Sequence, residues 1–224
     1  MPYTDAEVAQ VDRLIDEMNA VPLAFVVHVG DIGSSARACS DGWLLERRKQ
    51  FARLRHPFFL VPGDNEWTDC KEPLPRLAAW RGQFCFRETI AVERQQGPFC
   101  EHVRWESGGT LFVALNVPGS NNNVRQAEHA ARMAAVFSWI DESAALARGR
   151  DQRLALVMQA DPFVTAPRDG YAALRDKLRE LGARQPTVLI HGDTHLYRDD
   201  EPIPGVRRIE VWGSPVVSWL KVAF

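Results

Sequence analysis

The chain has 224 residues, of which 46% are hydrophobic and 25% charged, with a formal net charge of −2 at pH 7. That balance suits one soluble domain with a substantial core and gives no general attraction to nucleic acid or anionic membrane. No apolar stretch approaches the ~20 residues of a membrane span, and the polar, amphipathic start does not read as a signal peptide.

In chain order, Asp5 to Ala20 reads as a helix, with Val8, Val11, Leu14, Ile15 and Met18 at helical spacing and Thr4 or Asp5 as its N-cap. Leu23 to Val29 is a strand, Gly42 to Leu54 a helix, and Pro57 to Val61 a strand. Leu74 to Arg81 is helical, after which the pattern weakens as far as Gly97. Val103 to Trp105 and Thr110 to Val117 are strands around the turn Glu106-Ser107-Gly108-Gly109. Arg125 to Ala147 is the longest helix, followed by a strand at Leu154 to Met158. Tyr171 to Leu181 is a helix and Thr187 to Ile190 a strand. Arg207 to Trp212 and Pro215 to Ala223 close the chain as a hairpin. Such a mixture predicts an α/β (α+β) fold in which a two-sheet β-sandwich is flanked by helices. Without repeats, low-complexity tracts or linkers, residues 1–224 form a single domain.

The basic cluster Arg47, Arg48, Lys49, Arg53 and Arg55 lies on one of these helices and reads as a solvated face. Cys39, Cys70, Cys85 and Cys100 include no Cys-x-x-Cys pair, which argues against a structural zinc knuckle. Cys39 and Cys70 each lie a short loop beyond a strand end. Two readings stand: a disulfide bracing those loops in an exported protein, or four separate thiols in a cytoplasmic one.

The chemistry concentrates at three Gly-Asp pairs, Gly30-Asp31, Gly63-Asp64 and Gly192-Asp193, each at the end of an apolar run of strand length. One such pair is an ordinary turn signal. Three of them, one continuing as Asp193-Thr194-His195 and one as Asp64-Asn65-Glu66, place carboxylates at strand ends, where open α/β sheets bind ligands. Three acids in one crevice repel one another unless a cation sits between them. There is no Gly-x-Ser-x-Gly elbow, phosphate-binding Gly-Lys-Ser/Thr loop, Gly-x-Gly-x-x-Gly or His-Glu-x-x-His.

The order Gly30-Asp31, Pro62-Gly63-Asp64-Asn65-Glu66-Trp67-Thr68-Asp69-Cys70, Gly119-Ser120-Asn121-Asn122-Asn123 and His191-Gly192-Asp193-Thr194-His195 resembles the calcineurin-like metallophosphoesterases, in a divergent branch. The resemblance runs over nearly the whole chain. It implies two divalent metals at the strand ends of a helix-flanked β-sandwich. Asp31 stands where the family has the Asp that bridges the metals. Asp64 replaces a ligand Asn, Asn65 replaces the His that assists the leaving group, Asp193 replaces the first His of a Gly-His-x-His motif, and His195 matches the second. Charged oxygen ligands favour hard ions such as Mg, Mn or Ca over Zn; Mn or Mg is the expectation, with Fe, Zn or Ca as alternatives.

Two departures stand out. After Leu154-Ala155-Leu156-Val157-Met158-Gln159 the family's metal-binding His falls on Ala160. A shifted turn would let Asp161 or Gln159 serve instead, against the alternative that Asp161 opens an Asp-Pro turn. Met1-Pro2-Tyr3-Thr4-Asp5 resembles the segment just beyond the first Gly-Asp of relatives. The first strand and its Asp are therefore expected to be missing, leaving an N-terminally truncated fold. As given, the chain reads as cytoplasmic; an upstream start carrying a signal peptide would make it exported.

The expectation is thus metal-dependent hydrolysis of a phosphomonoester or phosphodiester. Asp31 and Asn65 are the catalytic candidates, and Asp31, Asp64, Asp193, His195 and Asp161 the metal ligands. Asn121 and Asn122 would touch substrate, against the alternative of a surface turn, with His28, His191 and Glu66 behind the ligands. Trp67 reads as a core residue rather than a stacking platform. The partner is a small phosphorylated substrate, with neither nucleic acid nor membrane indicated and the oligomeric state open. The rival is a catalytically silent relative that keeps the fold as a binding or structural module.

Overall fold

A computed structural model describes residues 1–223. The elements run α1 (Asp5–Asn19), β1 (Val26–His28), α2 (Ser35–Ala38), α3 (Asp41–Phe51), β2 (Phe58–Leu60), α4 (Pro73–Phe84), β3 (Glu93–Arg94) and β4 (Val103–Ser107). They continue with β5 (Thr110–Ala114), α5 (Gly119–Asn122), α6 (Glu128–Gly149), β6 (Arg153–Val157), α7 (Ala172–Arg184), β7 (Thr187–His191), β8 (Arg198–Ile203) and β9 (Val206–Glu210).

Local signals start the helices. The Thr4 hydroxyl caps α1 by accepting from the Glu7 N–H at 3.2 Å, and Ser40 caps α3 through the Trp43 N–H at 3.2 Å. Val11, Ile15 and Met18 then form the buried stripe of α1.

Two sheets result. β1 and β2 pair in parallel, and a mixed sheet has the strand order β3-β4-β5-β6-β7-β9-β8. Alternation along the strands feeds two cores. Leu111, Val113, Leu154, Leu156 and Leu189 pack with Val136, Ile140, Leu174 and Leu178 of α6 and α7. Phe112, Ala114, Ala155 and Val157 face the other way, against Val29, Phe59 and Val61 of the small sheet and its strand ends. Phe59 stacks on Trp105 with ring centroids 3.6 Å apart, joining the sheets. A third core packs Val11, Ile15, Leu44, Phe51 and Trp80 from α1, α3 and α4 over the small sheet's outer face. The order is therefore helices, large sheet, small sheet, helices. Truncating a buried Leu such as Leu156 should cost about 2–5 kcal/mol.

Two expectations need correction. The closing hairpin is β8–β9, antiparallel, and no strand forms at Pro215 to Ala223. β8 reads as a loop because its outward positions are charged; the ladder is carried by Arg207–Asp199 and Arg208–Asp200 pairs, at 2.7 and 2.5 Å. The basic cluster is not wholly solvated either. Arg47 is buried, its guanidinium 4.4 Å from the Trp43 ring centroid, while Arg53 pairs with Asp12 and Asp16 on α1. Trp67 is fully buried as a core residue.

All four cysteines are bonded, Cys39 to Cys70 and Cys85 to Cys100. The first ties the loop after β1 to the loop after β2. The second closes the weakly patterned stretch between α4 and β4, where the sequence offers no pairing signal. Among the described residues, no helix is long and apolar enough to cross a membrane.

Candidate functional site

The carboxyl ends of β1, β2, β6 and β7 converge. Gly30 (φ +91°) and Asp31 (φ +58°) turn the chain out of β1, and a Cβ on Gly30 would lie 2.8 Å from the Gly63 nitrogen. Only glycine permits this close approach, which brings Asp31 beside Asp64. A third glycine, Gly119, fits under both Asp64 and Asp193, whose carboxylates a Cβ there would meet.

Gln159, at the end of β6, is the hub. Its Nε2 lies 3.3 Å from Asp31 Oδ2, 3.2 Å from Asp64 Oδ1 and 3.1 Å from Asp193 Oδ1. Its Oε1 accepts from the Gly119 N–H. A second meeting point is the Tyr3 hydroxyl. It donates to Asp31 Oδ2 at 3.0 Å, accepts from Asn65 Nδ2 at 2.9 Å and lies 3.2 Å from His195 Nε2. His195 Nδ1 donates to the Ser214 carbonyl at 2.7 Å, which leaves Nε2 as the lone-pair nitrogen facing the cleft. Asp31, Asp64, Asp193, His195 and Asn65 therefore share one cleft.

Electrostatics mark the same residues. Burial and then the Glu66 charge push the Asp31 carboxyl up to about 7. Burial and Asp31 raise Asp64 to about 8. Burial and Asp64 raise Asp193 to about 6. The Met1 ammonium is nearby, but it donates to the Asp31 carbonyl oxygen rather than the carboxylate. The Tyr3 hydroxyl is pushed above its usual range by burial and Asp31.

The supporting residues divide. Glu66 is buried, accepts from the Ile32 N–H at 3.0 Å and so braces the turn after Asp31; burial raises it to about 7. His28 packs on Phe51 and bonds the Met1 carbonyl at 3.0 Å, with burial lowering it to about 3. His191 is fully buried at the end of β7, its Nδ1 2.9 Å from the Gly192 carbonyl, and burial lowers its pKa.

The Asp161 side chain is engaged away from the other carboxylates. Its Oδ1 caps the Phe163 N–H at 2.9 Å, the Asp-Pro turn, and its Oδ2 lies 3.6 and 3.8 Å from Arg198 and Arg208. Only its backbone N–H serves the cleft, donating to Asp193 Oδ2 at 3.1 Å. Asn121 and Asn122, expected to touch substrate, have their side chains engaged within the protein. Asn122 is fully buried, with its side chain bonded to Arg132 at 2.7 Å and the Gly170 carbonyl at 2.9 Å. Asn121 bonds the Arg168 carbonyl at 2.5 Å and the Gly170 N–H at 2.9 Å. Both hold a left-handed loop, Ser120 to Asn123, at φ 47–55°. Ser120, part of the Gly119 to Asn123 motif but not among the candidate site residues, reaches Asp64 Oδ2 at 3.0 Å and Asp69 Oδ1 at 2.6 Å.

Tyr3 left no sequence signal, since its partners lie up to 192 positions away. Gln159 left a faint one, a polar residue ending the buried run Leu154 to Met158.

The donor set fits a hard divalent ion in type: three carboxylates, one imidazole nitrogen and no basic side chain bonded to them. It is not drawn tight. Among the described residues, the only three candidate ligand atoms within 4.8 Å of one another belong to Cys85, Cys100 and Glu101, and the two sulfurs are disulfide-bonded. No family model matches the chain, and no curated protein matches it.

Proposed function

We propose that this chain is a divalent-metal-dependent phosphoesterase with the architecture of the calcineurin-like enzymes, acting on a small phosphorylated substrate. The observation that carries the reading is the meeting of Asp31, Asp64 and Asp193 at three strand ends, bonded to neutral donors alone, with His195 Nε2 beside them. The helix–sheet–sheet–helix layering and the Gly-Asp-Asn-Glu-Trp run support the family resemblance.

Asp31, Asp64, Asp193 and His195 would hold the metal, preferring Mn²⁺ or Mg²⁺ because most donors are oxygens. When bound, such an ion polarises a phosphoryl oxygen and lowers the pKa of a coordinated water. One oxygen of Asp31, Oδ2, takes both the Gln159 amide and the Tyr3 hydroxyl. Asn65 orients the leaving group through its amide and has no proton to give, so activated esters are favoured over poor leaving groups. The two disulfides support residence in an oxidising compartment.

A second reading, a catalytically silent relative, is favoured by the Gln159 amide lying among the carboxylates and by Asp161 facing Arg198. Hydrolysis of bis(4-nitrophenyl) phosphate decides between them. The enzyme reading expects activity with Mn²⁺ or Mg²⁺ exceeding that with Zn²⁺, and its loss on chelation. Ion binding without turnover would favour the silent relative, and full activity after exhaustive chelation would overturn the metal-dependent reading.

A further inference from the structure

Gln159 does more than line the cleft. One amide nitrogen faces three carboxylates, at 3.1–3.3 Å, from three different strand ends. An amide offers two N–H donors and no charge, yet here it stands at the point where the three acids need a counter-charge. Its orientation is fixed from behind by the Gly119 N–H, which donates to Oε1. Turning the amide over would set Nε2 against that N–H, donor facing donor, and aim the carbonyl oxygen at three carboxylates. Nor can the side chain swing aside freely. It is 1% exposed, and its Cγ sits only 2.9 Å from where a Cβ on Gly30 would lie.

The Tyr3 side of the cleft is built differently. The Tyr3 hydroxyl donates to Asp31 Oδ2 and lies 3.2 Å from His195 Nε2, but Tyr3 is half-buried. A hydroxyl oxygen can also join a metal's ligand set, which an amide N–H cannot.

We propose that Gln159 takes the place of one of two cations at Asp31, Asp64 and Asp193, so that the cleft accepts a single divalent ion. The proposal rests on the metal-dependent reading above and specifies its stoichiometry and the residue that sets it.

The test counts ions on the full chain. Mn²⁺ titration by calorimetry, with electron paramagnetic resonance to detect neighbouring ions, should give one ion for the wild type and no spin coupling. Gln159→Glu replaces the locked donor with a fourth carboxylate and should bind two ions with a spin-coupled signal. Gln159→Ala removes the donor and opens space, and should also gain the second ion; either variant alone decides the matter. Two ions in the wild type would overturn the role of Gln159 while leaving the metal reading intact. A single ion in either folded variant would overturn it as well. No ion in the wild type would remove the metal reading itself and the proposal with it.

Discussion

Two acidic clusters lie at neighbouring strand ends, and the molecule treats them in opposite ways. Glu210 and Asp161 face arginines. Glu210, fully buried, accepts from Arg198 and from the Thr194 hydroxyl, and Asp161 lies 3.6 Å from Arg198 and 3.8 Å from Arg208. Asp31, Asp64 and Asp193 face only neutral side-chain donors: an amide, a phenol and a hydroxyl. The first cluster is neutralised by the protein's own cations and is architecture. The second is left with a deficit of positive charge, visible as carboxyls raised to about 7, 8 and 6. A carboxylate that the fold leaves uncompensated is where an external cation has something to do.

Breaking the arginine cluster should have the largest effect on stability. Glu210→Ala leaves Arg198 without its buried partner, and should cost about 3–5 kcal/mol, read as the free energy of denaturant unfolding. Mn²⁺ affinity per folded molecule should change little, because none of the proposed ligands is removed. A variant of normal stability would mean the pair is not structural.

Next in size is the disulfide that braces the two loops carrying Asp31 and Asp64. Cys39→Ser with Cys70→Ser should lower stability by about 2–4 kcal/mol and weaken Mn²⁺ binding, since Asp31 and Asp64 lie on the loops it joins. Cys85→Ser with Cys100→Ser should lower stability without that loss of affinity. Equal loss of affinity in both would remove the bracing role.

How much of this is legible in the sequence depends on the range over which each residue acts. The strand-end carboxylates are readable because each sits in a local signature, an apolar run, a glycine and an acid. The helix starts at Thr4 and Ser40 are equally local, with caps three residues away. β8 is not readable, because Asp199 and Asp200 are stabilised across the ladder by Arg207 and Arg208 rather than by an apolar face. Asp161 misleads for the same reason: its neutralising arginines are distant in sequence. Tyr3 enters the cleft from the other end of the chain, and no pattern around it marks that destination.

The pH dependence sharpens the contrast. Asp31, Asp64 and Asp193 titrate in the folded state at about 7, 8 and 6, above the roughly 4 of an unfolded Asp. The folded state holds these protons more tightly. Their stabilising contribution is complete below pH ~4 and is lost as pH rises through about 6 to 8. The melting temperature of chelated protein should fall across that window, by roughly 5 °C, and excess Mn²⁺ should abolish the fall. Asp199 and Asp200, held low by hydrogen bonds from Arg207 and Arg208, act in the opposite sense and lose their contribution only as pH drops below the usual Asp range. A flat melting profile between pH 6 and 8 would mean the cleft carries no charge deficit.

The smallest effect is a gain. Asp64→Asn removes one of three mutually repelling carboxylates, and should stabilise chelated protein at pH 8 by about 1 kcal/mol while weakening Mn²⁺ binding at least tenfold. Destabilisation in the absence of metal would show that Asp64 is held for structure.

The most direct measurement is calorimetric titration of the chelator-treated chain with Mn²⁺ at pH 8, alongside Asp31→Asn and Glu210→Gln. Saturable binding to the wild type and to Glu210→Gln, abolished in Asp31→Asn, is the result predicted for a cleft that lacks a cation. No binding to the wild type, or equal binding by Asp31→Asn, would contradict the account.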